Sequence, residues 1–238
     1  MKDLFEQILK YLPHYLTEFG LVFSGPKSFI ATKLSTDAGD AFGEALLFLG
    51  ISLTLVLLMY TPLLPAGKDF WSFAIPYYVS YIIEIPLGAM VIRTAWWIVG
   101  GRAPARPFFI AYAYYVGVAS VLIGAIDLVA SGSFKTLDPQ LYREYSDALQ
   151  KPQSMEDWVQ SHTDLLHRYA QSYVTLTAAV IEGLGTLIIT IWGLVGWGAY
   201  RQLNGLSKLR SLVALIISWV LFVPVVLISR FIDAMELG

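Results

Sequence analysis

Two long apolar runs, Val174 to Tyr200 and Leu212 to Ile228, are separated only by a short basic, amide-rich turn, and no other feature limits the fold as strongly. At about 1.5 Å of rise per helical residue, each run can cross the roughly 30 Å of hydrocarbon in a bilayer. The turn between them, which carries Arg201, Lys208 and Arg210, therefore belongs at a membrane face. Three more runs of this kind come earlier, at Ala41 to Leu64, Phe70 to Val99 and Phe108 to Ala130. A lone strand leaves its backbone amides unsatisfied in lipid, so all five runs are expected to be helices. The expected fold is an all-α, polytopic membrane bundle of five transmembrane helices. The second and fourth runs exceed the necessary length and should tilt, kink or project, with Pro76 and Pro86 as the bending points of the second.

Composition agrees, because 56% hydrophobic against 14% charged residues in 238 is far from the balance that keeps a soluble domain dissolved. A net charge of -2 lacks the positive surplus that phosphate backbones demand, so no nucleic-acid partner is expected. The absence of cysteine removes disulfides, thiolate ligands and thiol nucleophiles together. Lys2, Asp3, Glu6, Gln7 and Lys10 interrupt the first apolar residues, so the first span, not a cleavable leader, is expected to direct insertion.

Basic residues set the expected orientation. Lys2, Lys10, Lys27 and Lys33, then Arg102 and Arg106, then Arg201, Lys208 and Arg210 fall on one side, placing the N-terminus in the cytoplasm and the C-terminus outside. Residues 1–40 form a cytoplasmic segment in this reading, and 41–238 the five-helix domain. Leu4, Phe5, Ile8, Leu9 and Leu12 share one helical face, which either lies in the headgroup layer or packs on the protein's own cytoplasmic side. The external segment, 131–170, should be helical, with Asp138 and Pro139 as an N-cap and first-turn pair. A second helix start is expected at Ser154, with Asp157 in the third position, running on into the fourth span.

The basic turn also carries a likeness. A Phe-Ser-Gly-Pro-Lys-Ser-Phe element (Phe23 to Phe29) precedes the first span, the fourth span ends Ile191-Trp192-Gly193-Leu194-Val195-Gly196, and Leu203-Asn204-Gly205-Leu206-Ser207-Lys208 with Arg210 opens the fifth. With five spans and the N-terminus inside, this resembles the Yip (Ypt-interacting protein) domain family in its prokaryotic form. The resemblance implies a non-enzymatic organiser or accessory subunit of a membrane assembly, in a prokaryotic inner membrane. The long external segment departs from the family's brief links, and the short N-terminal region weakens any GTPase-binding role. The family defines no catalytic or ligand residues to carry over.

Candidate chemistry rests on intramembrane charge. Glu84 and Glu182 fall near the middle of the second and fourth spans, where a carboxylate costs about 2.5 to 3.5 kcal/mol on insertion scales. Two readings stand: each is protonated and hydrogen-bonded within the bundle, or the two together handle protons or cations. Glu44 and Arg93 lie toward the cytoplasmic ends of the first two spans and are expected to form a structural pair. Asp127, near the external end of the third span, can reach interfacial water and needs no special partner. His162 and His167 are five residues apart and His14 is distant in sequence, so no metal set is expected, nor any cofactor-binding or catalytic set. A helix-packing seam is expected at Ala113, Gly117, Ser120 and Gly124 in the third span and at Gly183, Gly193 and Gly196 in the fourth. Partners are then the lipid bilayer and another membrane protein or a second copy. The competing function is a small transporter or channel for protons or cations.

Overall fold

A computed structural model describes residues 2–35, 38–63, 70–149 and 162–236. Every regular element among them is a helix. In chain order these are α1 (Lys2–Ser24), α2 (Pro26–Ser35), α3 (Ala38–Tyr60), a 3-10 turn (Thr61–Leu63), α4 (Phe70–Ile98) and α5 (Ala105–Leu137). They are followed by α6 (Pro139–Leu149), α7 (Thr163–Gln171), α8 (Tyr173–Asn204) and α9 (Lys208–Glu236). Five of them, α3, α4, α5, α8 and α9, are long and apolar enough to cross a membrane, so the chain is a multi-pass membrane protein.

Helix α5 is the axis of the bundle, packing against α3, α4 and α8, while α9 sits on α4 and α2 on α8. Lipid offers no hydrophobic drive for helices to associate, so close approach and dispersion must hold this core. The α3–α5 contact shows how: Ala113, Gly117, Ser120 and Gly124 all turn inward. A Cβ on Gly117 would stand 2.8 Å from the Phe48 ring, and one on Gly124 would touch Val56. The expected seam on α5 is therefore used within the molecule. On α8 it divides. Gly196 lies under the Tyr115 ring, whereas Gly183 and Gly193 face outward with nothing within 4 Å.

The N-terminal segment does not stay outside the bundle. From Tyr11 onward α1 buries Tyr15, Glu18 and Val22. Tyr15 shares a 3.1 Å hydrogen bond with Ser52 and packs its ring on Phe48, both on α3. Leu12 packs against the same core, while the side chains of Leu4, Phe5, Ile8 and Leu9 lie outside the described ones. At Gly25 the chain breaks and restarts at Pro26, a residue suited to a first helical position. That break strands the last carbonyls of α1, and the Trp192 indole donates to those of Val22 (3.4 Å) and Phe23 (3.0 Å). The Tyr115 hydroxyl lies 3.3 Å from the Pro26 carbonyl and 2.9 Å from that of Gly196. Two of the short elements singled out by resemblance, Phe23 to Phe29 and Ile191 to Gly196, thus meet.

The basic turn between the last two spans is a Schellman motif. Leu206 N–H bonds the Arg201 carbonyl (3.4 Å) and Gly205 N–H that of Gln202 (3.1 Å), with Gly205 at φ 61°, where glycine carries no steric penalty. Ser207 then caps α9, its Oγ accepting from Arg210 N–H at 3.4 Å. Capping accounts for Gly205 and Ser207 in this place.

At the opposite end, α5 runs to Leu137, seven residues beyond the expected boundary at Ala130, and Asp138 caps α6 by accepting from Leu141 N–H at 3.0 Å. Helices α6 and α7 pack over the ends of α5 and α8 around Phe134, Leu141, Leu165 and Val174. The expected start at Ser154 with Asp157 lies outside the described residues. Helix α7 does not run on into the fourth span. Ser172 interrupts it and caps α8, its Oγ accepting from Val174 N–H at 3.3 Å.

Candidate functional site

The intramembrane acids are not gathered into one site. Glu84 is half-buried at the middle of α4, within electrostatic reach of Tyr112 on α5. Glu182 is exposed on α8 near Tyr169 of α7. It lies in the first third of the 32-residue helix Tyr173–Asn204, eighteen residues or about 27 Å along the axis from Tyr200. Helices α4 and α8 each pack on α5 and meet one another at their C-terminal ends, where the Trp96 and Trp197 rings stack at 5.3 Å. Asp127, expected to need no partner, accepts a 2.5 Å hydrogen bond from Tyr60.

The expected Glu44–Arg93 pair does not form among the described residues. Glu44 Oε2 lies 2.5 Å from Lys33 Nζ instead, because α2 folds back alongside α3 and delivers its last-turn lysine there. Arg93 keeps a buried Nε with no hydrogen-bond partner.

Lys33 belongs to a cluster that the sequence did not reveal. Its Nζ also lies 2.5 Å from Glu18 Oε1, on a side chain only 3% exposed. Glu18 Oε1 is 3.3 Å from His14 Nε2 and accepts from Tyr114 at 3.2 Å, while Oε2 accepts from Tyr11 at 3.1 Å. The Lys33 ammonium further sits 5.7 Å and 5.8 Å from the Phe29 and Tyr114 ring centroids. Four helices, α1, α2, α3 and α5, are tied through these groups. With His14 neutral the cluster holds one negative charge in excess, and protonating His14 would balance it.

One ligand atom each from His14, Glu18 and Glu44 lies within 4.8 Å of the others, a nitrogen and two oxygens of the kind a divalent cation takes. An argument from histidine spacing alone misses this grouping, since two of its members are carboxylates from α1 and α3. The ammonium of Lys33 already bridges both carboxylates, so an incoming metal would have to displace it. One signal could have exposed the cluster: Tyr11, Tyr15, Glu18 and Val22 share a helical face, and an acid within an otherwise buried face requires a partner.

A second group of charges lies where the α4–α5 and α8–α9 links meet. Gly100, at φ 100°, and Gly101 turn the chain so closely that a Cβ on Gly101 would stand 2.5 Å from Asn204 Oδ1. Asn204 Oδ1 accepts from Ala103 N–H at 3.3 Å and its Nδ2 donates to the Tyr200 carbonyl at 2.8 Å. The two links are thereby joined around a cavity of about 140 Å³ that includes Arg93, Arg102 and Asn204 in its walls.

No family model, no curated protein and no solved structure matches the chain.

Proposed function

We propose that this chain is a non-enzymatic membrane protein that acts by lateral assembly, as an organiser or accessory subunit of a membrane complex. One observation carries the reading: the outward face of α8 combines the open glycines Gly183 and Gly193 with an exposed carboxylate, Glu182, among exposed leucines and isoleucines. Leucine and isoleucine there suit lipid, but an acid within a spanning helix gains from a cation or donor on a neighbouring helix. A symmetric pairing of two copies about this point would bring two carboxylates together, which disfavours a self-dimer. The occupant is a spanning helix of another protein carrying a basic or hydrogen-bond-donating side chain at the depth of Glu182. The likeness to the Yip family supports the same role. The basic links support a cytoplasmic N-terminus, and the likeness to the prokaryotic form of that family is what suggests a prokaryotic inner membrane.

The natural chain contains no cysteine, so single introduced thiols report without background. Gly183→Cys and Gly193→Cys, treated with a maleimide cross-linker in native membranes, should give a discrete adduct with a second membrane protein. Val220→Cys, exposed on α9, should not. Adducts no more abundant than at Val220 would end the proposal, and an adduct of twice the chain's own mass would replace the partner with a second copy.

A second reading, proton or cation handling, is favoured by the grouping of His14, Lys33 and Glu44 around the buried Glu18 carboxylate more than by Glu84 and Glu182. Proteoliposome flux that stops with Glu18→Gln and survives the Glu84→Gln, Glu182→Gln double variant would establish it. Absence of flux in the unmodified protein would dismiss it.

A further inference from the structure

We propose that the cavity between the α4–α5 and α8–α9 links binds a phosphate group. Arg93 from α4 and Arg102 from the link line it together with Trp97, Gly101, Phe108 and Asn204. Arg210, in the first turn of α9, brings Nη1 to 3.4 Å from where a Cβ would stand on Gly100, the neighbour in sequence of the wall residue Gly101.

Three guanidiniums thus converge, and none is paired with a carboxylate among the described residues. Arg102 Nη1 donates only to backbone carbonyls, of Gly101 at 2.9 Å and Trp97 at 3.3 Å. Arg93 Nε is buried without any hydrogen-bond partner. Elsewhere the chain matches its interior or clustered cations with acids, as at Lys33 and at Arg168. Leaving a cation desolvated and unmatched is costly. The C-terminal ends of α4 and α8 supply partial negative charge here, but a helix end offsets only a fraction of a buried charge. Guanidinium forks suit the oxygens of a phosphate, which can accept from several at once.

The location favours a phosphate presented at a membrane face. Both links end spanning helices, and Trp97 in the cavity wall, like Ile98 next to it in the chain, is an exposed apolar side chain suited to acyl chains. Basic pockets between spanning helices are the kind of place where anionic headgroups dock. The same geometry would accept inorganic phosphate or a soluble phosphate monoester. This inference does not depend on the role of the α8 face.

The test uses the full chain, purified in a neutral detergent. Thermal unfolding is followed with added phosphatidylglycerol, with phosphatidylcholine, or with inorganic phosphate, and retained lipid is counted by native mass spectrometry. Phosphatidylglycerol should raise the midpoint and be retained in preference to phosphatidylcholine. Arg102→Gln, an exposed position that leaves the packing intact, should weaken binding about tenfold, as loss of one charged hydrogen-bonding group does. Arg93→Gln should do at least as much, and Arg201→Gln, a basic residue of the same face outside the cavity, should do little. Equal protection by inorganic phosphate would support the site and assign it to a soluble phosphate. Protection by phosphatidylglycerol alone would assign it to a lipid. Equal losses in Arg102→Gln and Arg201→Gln would overturn the proposal, since binding would then follow the charge of the face and not the cavity. No protection by any of the three would overturn it as well.

Discussion

The two charged regions of this molecule solve the same physical problem in opposite ways. Around Glu18 both carboxylates find a cation within the chain: Lys33 bridges Glu18 and Glu44 at 2.5 Å each, and two tyrosines and a histidine complete the shell. Around Arg93, Arg102 and Arg210 no carboxylate among the described residues replies. In a medium of low dielectric a closed cluster acts as a fastener between helices, whereas an open one marks where something else must come. The contrast is testable because the two regions should respond to the same kind of substitution with different signs.

The largest effect is expected at Lys33. Lys33→Met leaves Glu18 and Glu44 facing one another without their shared cation, and breaking a buried pair in this way typically costs about 3 to 5 kcal/mol. Reversible unfolding in detergent should show that loss, and adding Glu18→Gln to Lys33→Met should recover part of it. A change in Lys33→Met below about 1 kcal/mol would mean that the cluster is not a fastener. Arg93→Met should go the other way. Removing an unmatched buried charge relieves its desolvation, so in lipid-free, phosphate-free detergent the variant should gain up to about 1 kcal/mol. A loss at Arg93 as large as that at Lys33 would erase the distinction between the two regions.

Alkaline pH sharpens the comparison further. Burial alone would lower the Lys33 pKa, but the hydrogen bonds and charges of Glu18 and Glu44 outweigh it and hold the ammonium above the ordinary lysine range. A group raised in the folded state contributes fully below its unfolded pKa, and that contribution disappears as pH climbs through the folded value. Stability should therefore fall above about pH 10.5, the ordinary lysine value, and Lys33→Met should make that fall shallower without abolishing it, because burial also holds Tyr11 and Tyr15 above the ordinary tyrosine value. Guanidiniums stay charged throughout, so Arg93→Met should retain the full fall.

Much of this architecture is legible in the sequence, and the part that is not has a definite cause. Apolar run length gives the five spans, because a bilayer imposes a length on any helix that crosses it. Four-residue spacing of small residues gives the α5 seam, since Gly117 and Gly124 must face the helix that approaches them. Depth, however, does not determine direction around a helix axis. Glu44 and Arg93 can be matched in depth on paper, yet Glu44 turns to Lys33, eleven residues earlier, because α2 folds back after Gly25. Glu18 and Lys33 are fifteen residues apart across that same break, and no periodicity foretells that they meet. The arginine cavity is hidden for a related reason, as its walls come from residues about a hundred positions apart, brought together by the Asn204–Ala103 bond and the Trp96–Trp197 and Phe108–Tyr200 stacks.

The smallest effect is expected outside the spans, where an ion pair of similar geometry sits in water. Arg168 and Glu144 approach to 2.5 Å between α7 and α6, beside the stacked rings of Tyr145 and Tyr169 at 4.5 Å. The hydrogen bonds from Arg168 and Gln140 hold the Glu144 carboxyl below its ordinary value. A lowered pKa contributes above the unfolded value and is lost as pH falls through the folded one, so this pair weakens only below about pH 4.5. Because both groups remain solvated, screening and side-chain entropy absorb most of the gain. Arg168→Ala should therefore leave the global unfolding midpoint in place and merely speed amide exchange in α6 and α7, after correction for intrinsic rates. A global loss matching that of Lys33→Met would show that burial is not what separates a fastening charge from an ornamental one in this fold.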